Sequence, residues 1–299
     1  MPGHLRRSVT PRDWKPERDL MLGLLILVLG ALLAGCSSAS QSKTIVAFCG
    51  SASKPALEEA ATAFEKKTRV KVELHFSGSG TMLSEMKISR RGDLYIPGSP
   101  DYIYMAQRDG LIDPQTVQII AYLVPAILVQ KGNPQNIQTL EDLTRPGVKV
   151  GIGNPEAVCV GLYAVEILEY NGLLDRVQRN IVTHAESCSK TAALIGLKKV
   201  DAIIGWDVFS RWNPDTTEIV YLEPEQIPRL AYVPAAISTY SRDRQSAQEF
   251  IDFLVSRDGQ AIFARWGYIA TEEEARRYAP EAQIGGEYKL PADYQPSIE

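Results

Sequence analysis

Thr44-Ile45-Val46-Ala47-Phe48-Cys49-Gly50-Ser51-Ala52-Ser53-Lys54-Pro55-Ala56-Leu57 holds the unit from which the fold can be read. Residues 44–48 are apolar or β-branched, as in a buried strand. Residues 55–67 place Leu57, Ala60, Ala61 and Phe64 on one face of a helix. The joining loop is made of small residues. Moving outward, the unit recurs. A strand over 70–76 leads through Ser77-Gly78-Ser79-Gly80-Thr81 to a helix over 81–89, and a strand over 93–96 leads to a helix over 102–109 that Gly110 stops. Further strands are expected at 122–130, interrupted by Pro125, and at 148–152, 181–184, 201–204, 218–222 and 230–237. Helices are expected at 139–143, 161–170, 189–199, 245–255 and 259–266. Repeated strand–helix alternation predicts an α/β architecture, with one mainly parallel sheet in each half of the chain. In such sheets ligands bind outside the carboxyl ends of the strands, so the strand-to-helix loops are the place to look for a site.

The chain has 299 residues, room for two domains, and a formal charge of −4, which gives no reason to expect nucleic-acid binding. Arg6, Arg7, Arg12, Lys15 and Arg18 precede an apolar run over 20–34 that ends in Leu33-Ala34-Gly35-Cys36. A basic region, a short apolar core and small residues before a cysteine read as a lipoprotein export signal over 1–35, with Cys36 acylated. The run is short for a transmembrane span. Residues 36–42 read as a lipidated, flexible tether. The signal holds five basic and three acidic residues, so the remainder is more acidic than the whole chain. An anion must then be held by local donors, because overall charge does not attract it.

The strand-to-helix loops at 49–53, 77–81, 158–161 and 187–189 are built of Gly, Ser, Thr, Ala, Val and Cys, without a formal charge. A helix start presents unpaired N–H groups and a partial positive charge. Gly lets the backbone come close, and Ser or Thr adds a hydroxyl. Taken singly, such loops are ordinary helix caps. Aimed at one point, they form an uncharged cage of donors suited to a deprotonated dianion.

The chain resembles the bacterial periplasmic molybdate-binding proteins of ABC transporters over about residues 43–268. The resemblance lies in Ile45-Val46-Ala47-Phe48, Phe76-Ser77-Gly78-Ser79-Gly80-Thr81, Gly92-Asp93-Leu94-Tyr95-Ile96, Gly153-Asn154-Pro155-Glu156 and Gly161-Leu162-Tyr163-Ala164-Val165-Glu166. Ala185-Glu186, Ile203-Ile204-Gly205 with Asp207, and residues 263–268 continue it. It implies a two-lobed, type II periplasmic-binding-protein-like fold in which each lobe is a mixed, mainly parallel sheet flanked by helices. Lobe 1 would comprise 43–120 and 231–285, lobe 2 would comprise 121–230, and 286–299 would be a C-terminal tail. It implies molybdate or tungstate held between the lobes by Ser51 or Ser53, by Ser79, and by the N–H groups of Val160 and Cys188, with no catalytic residue, metal ligand or cofactor. Where that family has a tyrosine near Ile204, this chain has Trp206, whose indole N–H is a substitute donor. The implied partners are the oxyanion, the permease subunits of an ABC importer and a membrane reached through the lipid anchor, with the protein a monomer.

If Cys36 carries lipid, Cys49, Cys159 and Cys188 remain, each in or beside one of these loops. Their bland reading is small buried residues, with Cys159 and Cys188 candidates for a disulfide. The alternative is thiol-dependent binding of a soft metal or a metalloid such as arsenite. A Cys–His catalytic pair with His184 or His75 lacks a third, orienting group, so no enzyme is expected.

Overall fold

A computed structural model describes residues 43–295. The expected export signal, Cys36, the tether and the last four residues lie outside the described residues. The first part of the described chain comprises β1 (Thr44–Gly50), α1 (Lys54–Thr68), β2 (Lys71–Ser77), α2 (Ser79–Ser89), β3 (Leu94–Ile96), α3 (Pro100–Arg108) and β4 (Gln118–Leu123). Next come β5 (Pro125–Gln130), β6 (Val150–Gly153), α4 (Cys159–Tyr170), α5 (Leu174–Gln178), β7 (Ile181–Ala185), α6 (Cys188–Gly196), β8 (Ala202–Trp206), α7 (Phe209–Trp212) and β9 (Thr217–Tyr221). β10 (Arg229–Ile237), α8 (Arg244–Val255), α9 (Arg257–Arg265), α10 (Glu272–Arg276) and β11 (Gln283–Ile284) complete it.

The strands form two sheets of mixed direction. In the first the order is β11-β10-β3-β1-β2, with β4 also paired to β10; in the second it is β7-β6-β8-β5-β9. β1 runs parallel to β2 and β3, whereas β10 is antiparallel to β3 and β4. β6 runs parallel to β7 and β8, whereas β5 is antiparallel to β8 and β9. The parallel strands point their carboxyl ends at the helix starts between the two sheets. The apolar stretch around Pro125 forms two strands rather than one interrupted strand: β4 belongs to the first sheet and β5 to the second, with Val124 between them. Pro125 opens its strand, where a missing N–H is tolerated. Pro234 lies inside the fully buried β10, at the register shift that follows Val233, which accommodates it in the same way.

Among the described residues no helix is long and apolar enough to cross a membrane. One apolar cluster runs from Ile45, Phe64 and Phe250 of the first lobe to Tyr163, Trp206 and Phe209 of the second. A second cluster, with Ile127, Ile152 and Ile167, lies behind the second sheet and is covered by Tyr288, Leu290 and Tyr294. The C-terminal segment therefore packs against the fold. Arg108 donates to Glu287 at 2.6 Å, the Tyr288 N–H donates to Asp101 at 2.9 Å, and the Gln178 amide donates to the Gln295 carbonyl at 2.6 Å. The segment thus touches α3 of the first lobe and α5 of the second.

The lobes share a buried ion cluster. Arg229, at the start of β10, donates through Nε to both carboxylate oxygens of Glu166 on α4, at 2.8 and 2.9 Å. Its Nη2 lies 3.1 Å from Asp101 on α3, its Nη1 donates to the Gly286 carbonyl, and its guanidinium lies 4.4 Å from the Tyr163 ring centroid. Burial works against the Arg229 charge, but Tyr163, Glu166 and Asp101 outweigh it and hold its pKa above the ordinary arginine value. Removing this cation leaves two buried carboxylates uncompensated. Arg229→Met is expected to lower stability by roughly 3–5 kcal/mol, read as a shift in the urea midpoint with little change in slope.

Candidate functional site

Four helix starts meet between the lobes. In the first lobe, β1 runs through Gly50 into a single 3-10 turn, Ser51–Ser53, ahead of α1. β2 ends at Ser77, and Gly78 caps α2, whose first residue is Ser79. In the second lobe, Val158 caps α4, so Cys159 and Val160 are its first two residues; the helix starts two residues earlier than its sequence pattern indicates. Ser187 caps α6 by accepting from the Lys190 N–H at 3.2 Å, and Cys188 is that helix's first residue. The N–H groups of Val160 and Cys188 thus lie in first turns, where the helix itself supplies no acceptor.

The lobes are in contact at this point. The Ser189 N–H donates to Ser51 Oγ at 3.0 Å, and the Gly80 N–H donates to the Ala157 carbonyl at 2.9 Å. The Gly98 N–H donates to Ser79 Oγ at 3.0 Å. Ser51 and Ser79 each accept one N–H, which leaves each hydroxyl hydrogen available as a donor. Ser79 is also within hydrogen-bonding reach of Cys159. Glycine is required by closeness here: a Cβ on Gly98 would stand 2.6 Å from both Ala52 Cβ and Cys159 Sγ, and a Cβ on Gly50 would stand 2.4 Å from Ser79 Oγ.

Ser51, Ser79, Val160 and Cys188 are thereby brought together. Ser53 and Trp206 are fully buried, and neither Ser53 Oγ nor Trp206 Nε1 has a hydrogen-bond partner among the described residues. Trp206 packs edge-to-face on Tyr163, with ring centroids 5.0 Å apart, and the Tyr163 hydroxyl is likewise buried and unpartnered. Sequence reasoning passed over Tyr163. Its spacing of three from Val160, which puts both on one helix face, was the available signal. It also passed over the Gly98 N–H, which no local motif marks.

The cysteines divide. Cys159 Sγ and Cys188 Sγ are 3.3 Å apart, whereas Cys49 lies within β1 and its Sγ approaches its own strand at the Ala47 carbonyl, 3.6 Å away. Among the described residues no group of three or more His, Cys, Asp or Glu side chains is arranged to hold a metal ion. A site built on all three sulfurs therefore has no support in the geometry. Neither histidine pairs with a cysteine: His184 meets the Tyr294 hydroxyl at 3.2 Å, and His75 meets Glu73 at 3.0 Å and stacks on Phe48.

Asp207 follows Trp206 and lies at the switch between sheets, where its N–H donates to the Val124 carbonyl at 2.9 Å. Burial raises its carboxyl from 3.8 to about 7, against hydrogen bonds from Val124 and Val208. The folded state thus keeps the proton to a higher pH than the unfolded chain does. The resulting stability is fully present below 3.8 and is lost as pH rises to about 7. Native stability should decline by up to roughly 1.4 kcal/mol per pH unit in that window, and Asp207→Asn should flatten the decline in urea titrations run across it.

The sequence pattern of a family described as bacterial extracellular solute-binding protein matches residues 45–269. The molybdate-binding protein ModA of Escherichia coli is 24% identical over 247 residues, which is 80% of this chain and 94% of that one. Among solved structures, the periplasmic molybdate-binding protein of Azotobacter vinelandii superposes with a TM-score of 0.66 at 17% identity, covering 76% of this chain and all of that one. The sulfate-binding protein SubI of Mycobacterium tuberculosis superposes with a TM-score of 0.69 at 16% identity, covering 81% and 94%.

Proposed function

The chain belongs to the family of bacterial extracellular solute-binding proteins, and from that premise we propose that it holds a tetrahedral oxyanion, molybdate or tungstate, between its two lobes for delivery to an ABC importer. The observation that carries this reading is the meeting, across the lobe boundary, of four helix starts whose joining loops hold no formal charge, tied by the Ser189 N–H on Ser51 Oγ. The ligand would receive hydroxyl donors from Ser51 and Ser79 and N–H donors from Val160 and Cys188. Ser53 and the Trp206 indole, both buried and unpartnered, are the remaining candidate donors. A cage of donors favours a fully deprotonated dianion over phosphate, whose proton needs an acceptor. The relatives named for molybdate and sulfate support the chemical class, and the choice within that class is this proposal.

In this reading residues 1–35 direct export, and Cys36 carries lipid that keeps the monomeric protein at the membrane beside its permease. Transport needs no bond to be made in the ligand. The lobes close because loops from both touch the ligand only in the closed form, and closure presents the docking surface to the permease.

Titration calorimetry with molybdate, tungstate, sulfate, phosphate and arsenite tests the assignment. Molybdate or tungstate should bind one to one and tightest, and Ser79→Ala should weaken that binding about tenfold to a hundredfold, as expected for a lost hydrogen bond to a charged group. Cys49→Ser should leave it unchanged. Binding of arsenite by the reduced protein, with no oxyanion bound, would replace this reading with a thiol site.

A further inference from the structure

Cys159 and Cys188 head the two second-lobe helices that would supply N–H donors to the anion. Their sulfurs stand 3.3 Å apart, unbonded and buried. What covers them comes partly from the other lobe: Gly98 packs so closely on Cys159 Sγ that a Cβ there would reach 2.6 Å, and Ser79 lies within hydrogen-bonding reach of the same sulfur. Both covering residues belong to the first lobe, so in the proposed lobe-closing mechanism they would leave the sulfurs when the cleft opens.

We propose that Cys159 and Cys188 are a cleft-facing thiol pair that becomes a disulfide in the open protein and is shielded from exchange in the closed one. The oxidant is a disulfide, either a small molecule or a protein. One cysteine thiolate attacks an oxidant sulfur, forming a mixed disulfide and releasing one thiol. The second cysteine attacks the mixed disulfide, forming the Cys159–Cys188 bond and releasing the other thiol. Two cysteine thiols are oxidised, one disulfide is reduced to two thiols, and the two protons leave on the departing thiols. Burial, reinforced by Cys188, pushes the Cys159 thiol well above its ordinary value, so the closed form holds little of the thiolate that reacts. The bond ties together the first residues of α4 and α6. It thereby fixes the spacing of the two N–H donors without consuming either. Cys49 takes no part, being buried in its strand with burial raising its thiol as well.

The shielding, unlike the bond, rests on the two-lobed ligand-closing reading, so the test has two arms. In the first, the full-length exported protein is purified with free thiols blocked at lysis, digested and mapped. A Cys159–Cys188 bridge with Cys49 blocked is expected, with the same bridge in Cys49→Ser. Free Cys159 and Cys188, or a bridge that includes Cys49, would overturn the pair. In the second, the reduced protein is treated with glutathione disulfide with and without sodium molybdate, and the rate of bridge formation is followed. Molybdate should slow it about tenfold or more, in proportion to the open population it removes. An unchanged rate with calorimetry showing molybdate bound would overturn the shielding. An unchanged rate with no binding would count against the ligand assignment alone, and the peptide map would still decide the bond.

Discussion

The constraint on which the rest depends is that an acidic chain, to hold an anion as proposed, has to use loops that carry donors but no formal charge. Such donors have to be backbone N–H groups and hydroxyls, and these are concentrated where a strand turns into a helix. Parallel strands place several such turns at one sheet edge, and two lobes facing each other double the number. The hydroxyls of Ser51 and Ser79 illustrate the economy of this arrangement. Each accepts a backbone N–H, and each keeps its own hydrogen for another acceptor. Glycine at 50 and 98 is the condition for it, since any side chain there would push the helix starts apart.

In the proposed lobe closure, the connections between lobes have to allow movement without loosening either core. The chain changes sheets at Val124 and again between β9 and β10. Arg229 stands at the second crossing and grips a carboxylate from each lobe, with the C-terminal segment laid over it through Gly286 and Tyr288. A single buried cation between two carboxylates is a poor source of net stability but a strict one of geometry, since removing it strands two charges. Asp207, close to the first crossing, carries a proton at pH values where most carboxyls have lost theirs, because the crossing is dry.

Much of this was legible in the sequence for a physical reason. Strand and helix periods were clean through β1, α1, β2 and α2, and the small-residue loops lay where parallel strands end. The family of solute-binding proteins and the two-sheet fold followed from the same stretches. Other features depend on contacts distant in sequence. The run around Pro125 is apolar throughout, so no periodicity marks Val124 as the point where the chain leaves one sheet for the other. Helix α1 is capped by Arg69 and α2 by Arg90, both left-handed and neither the glycine that usually signals such an end. The grip of residues 286–295 on both lobes comes from Glu287, Tyr288 and Tyr294, whose partners lie more than a hundred residues away. The separation of Cys49 from the other two cysteines depends on strand pairing that spacing cannot reveal.

Oxyanion binding between the lobes is tested most directly by where the anion sits. Crystals grown with tungstate, with diffraction recorded at a tungsten absorption edge, would locate it without reference to any assumed contact. A single strong anomalous peak is expected, enclosed by the starts of α2, α4 and α6 and the Ser51–Ser53 turn, within hydrogen-bonding reach of Ser51, Ser79 and the Val160 and Cys188 N–H groups. A peak bonded to the cysteine sulfurs, one on the outer surface of either lobe, or none in crystals that hold tungstate in solution would contradict it.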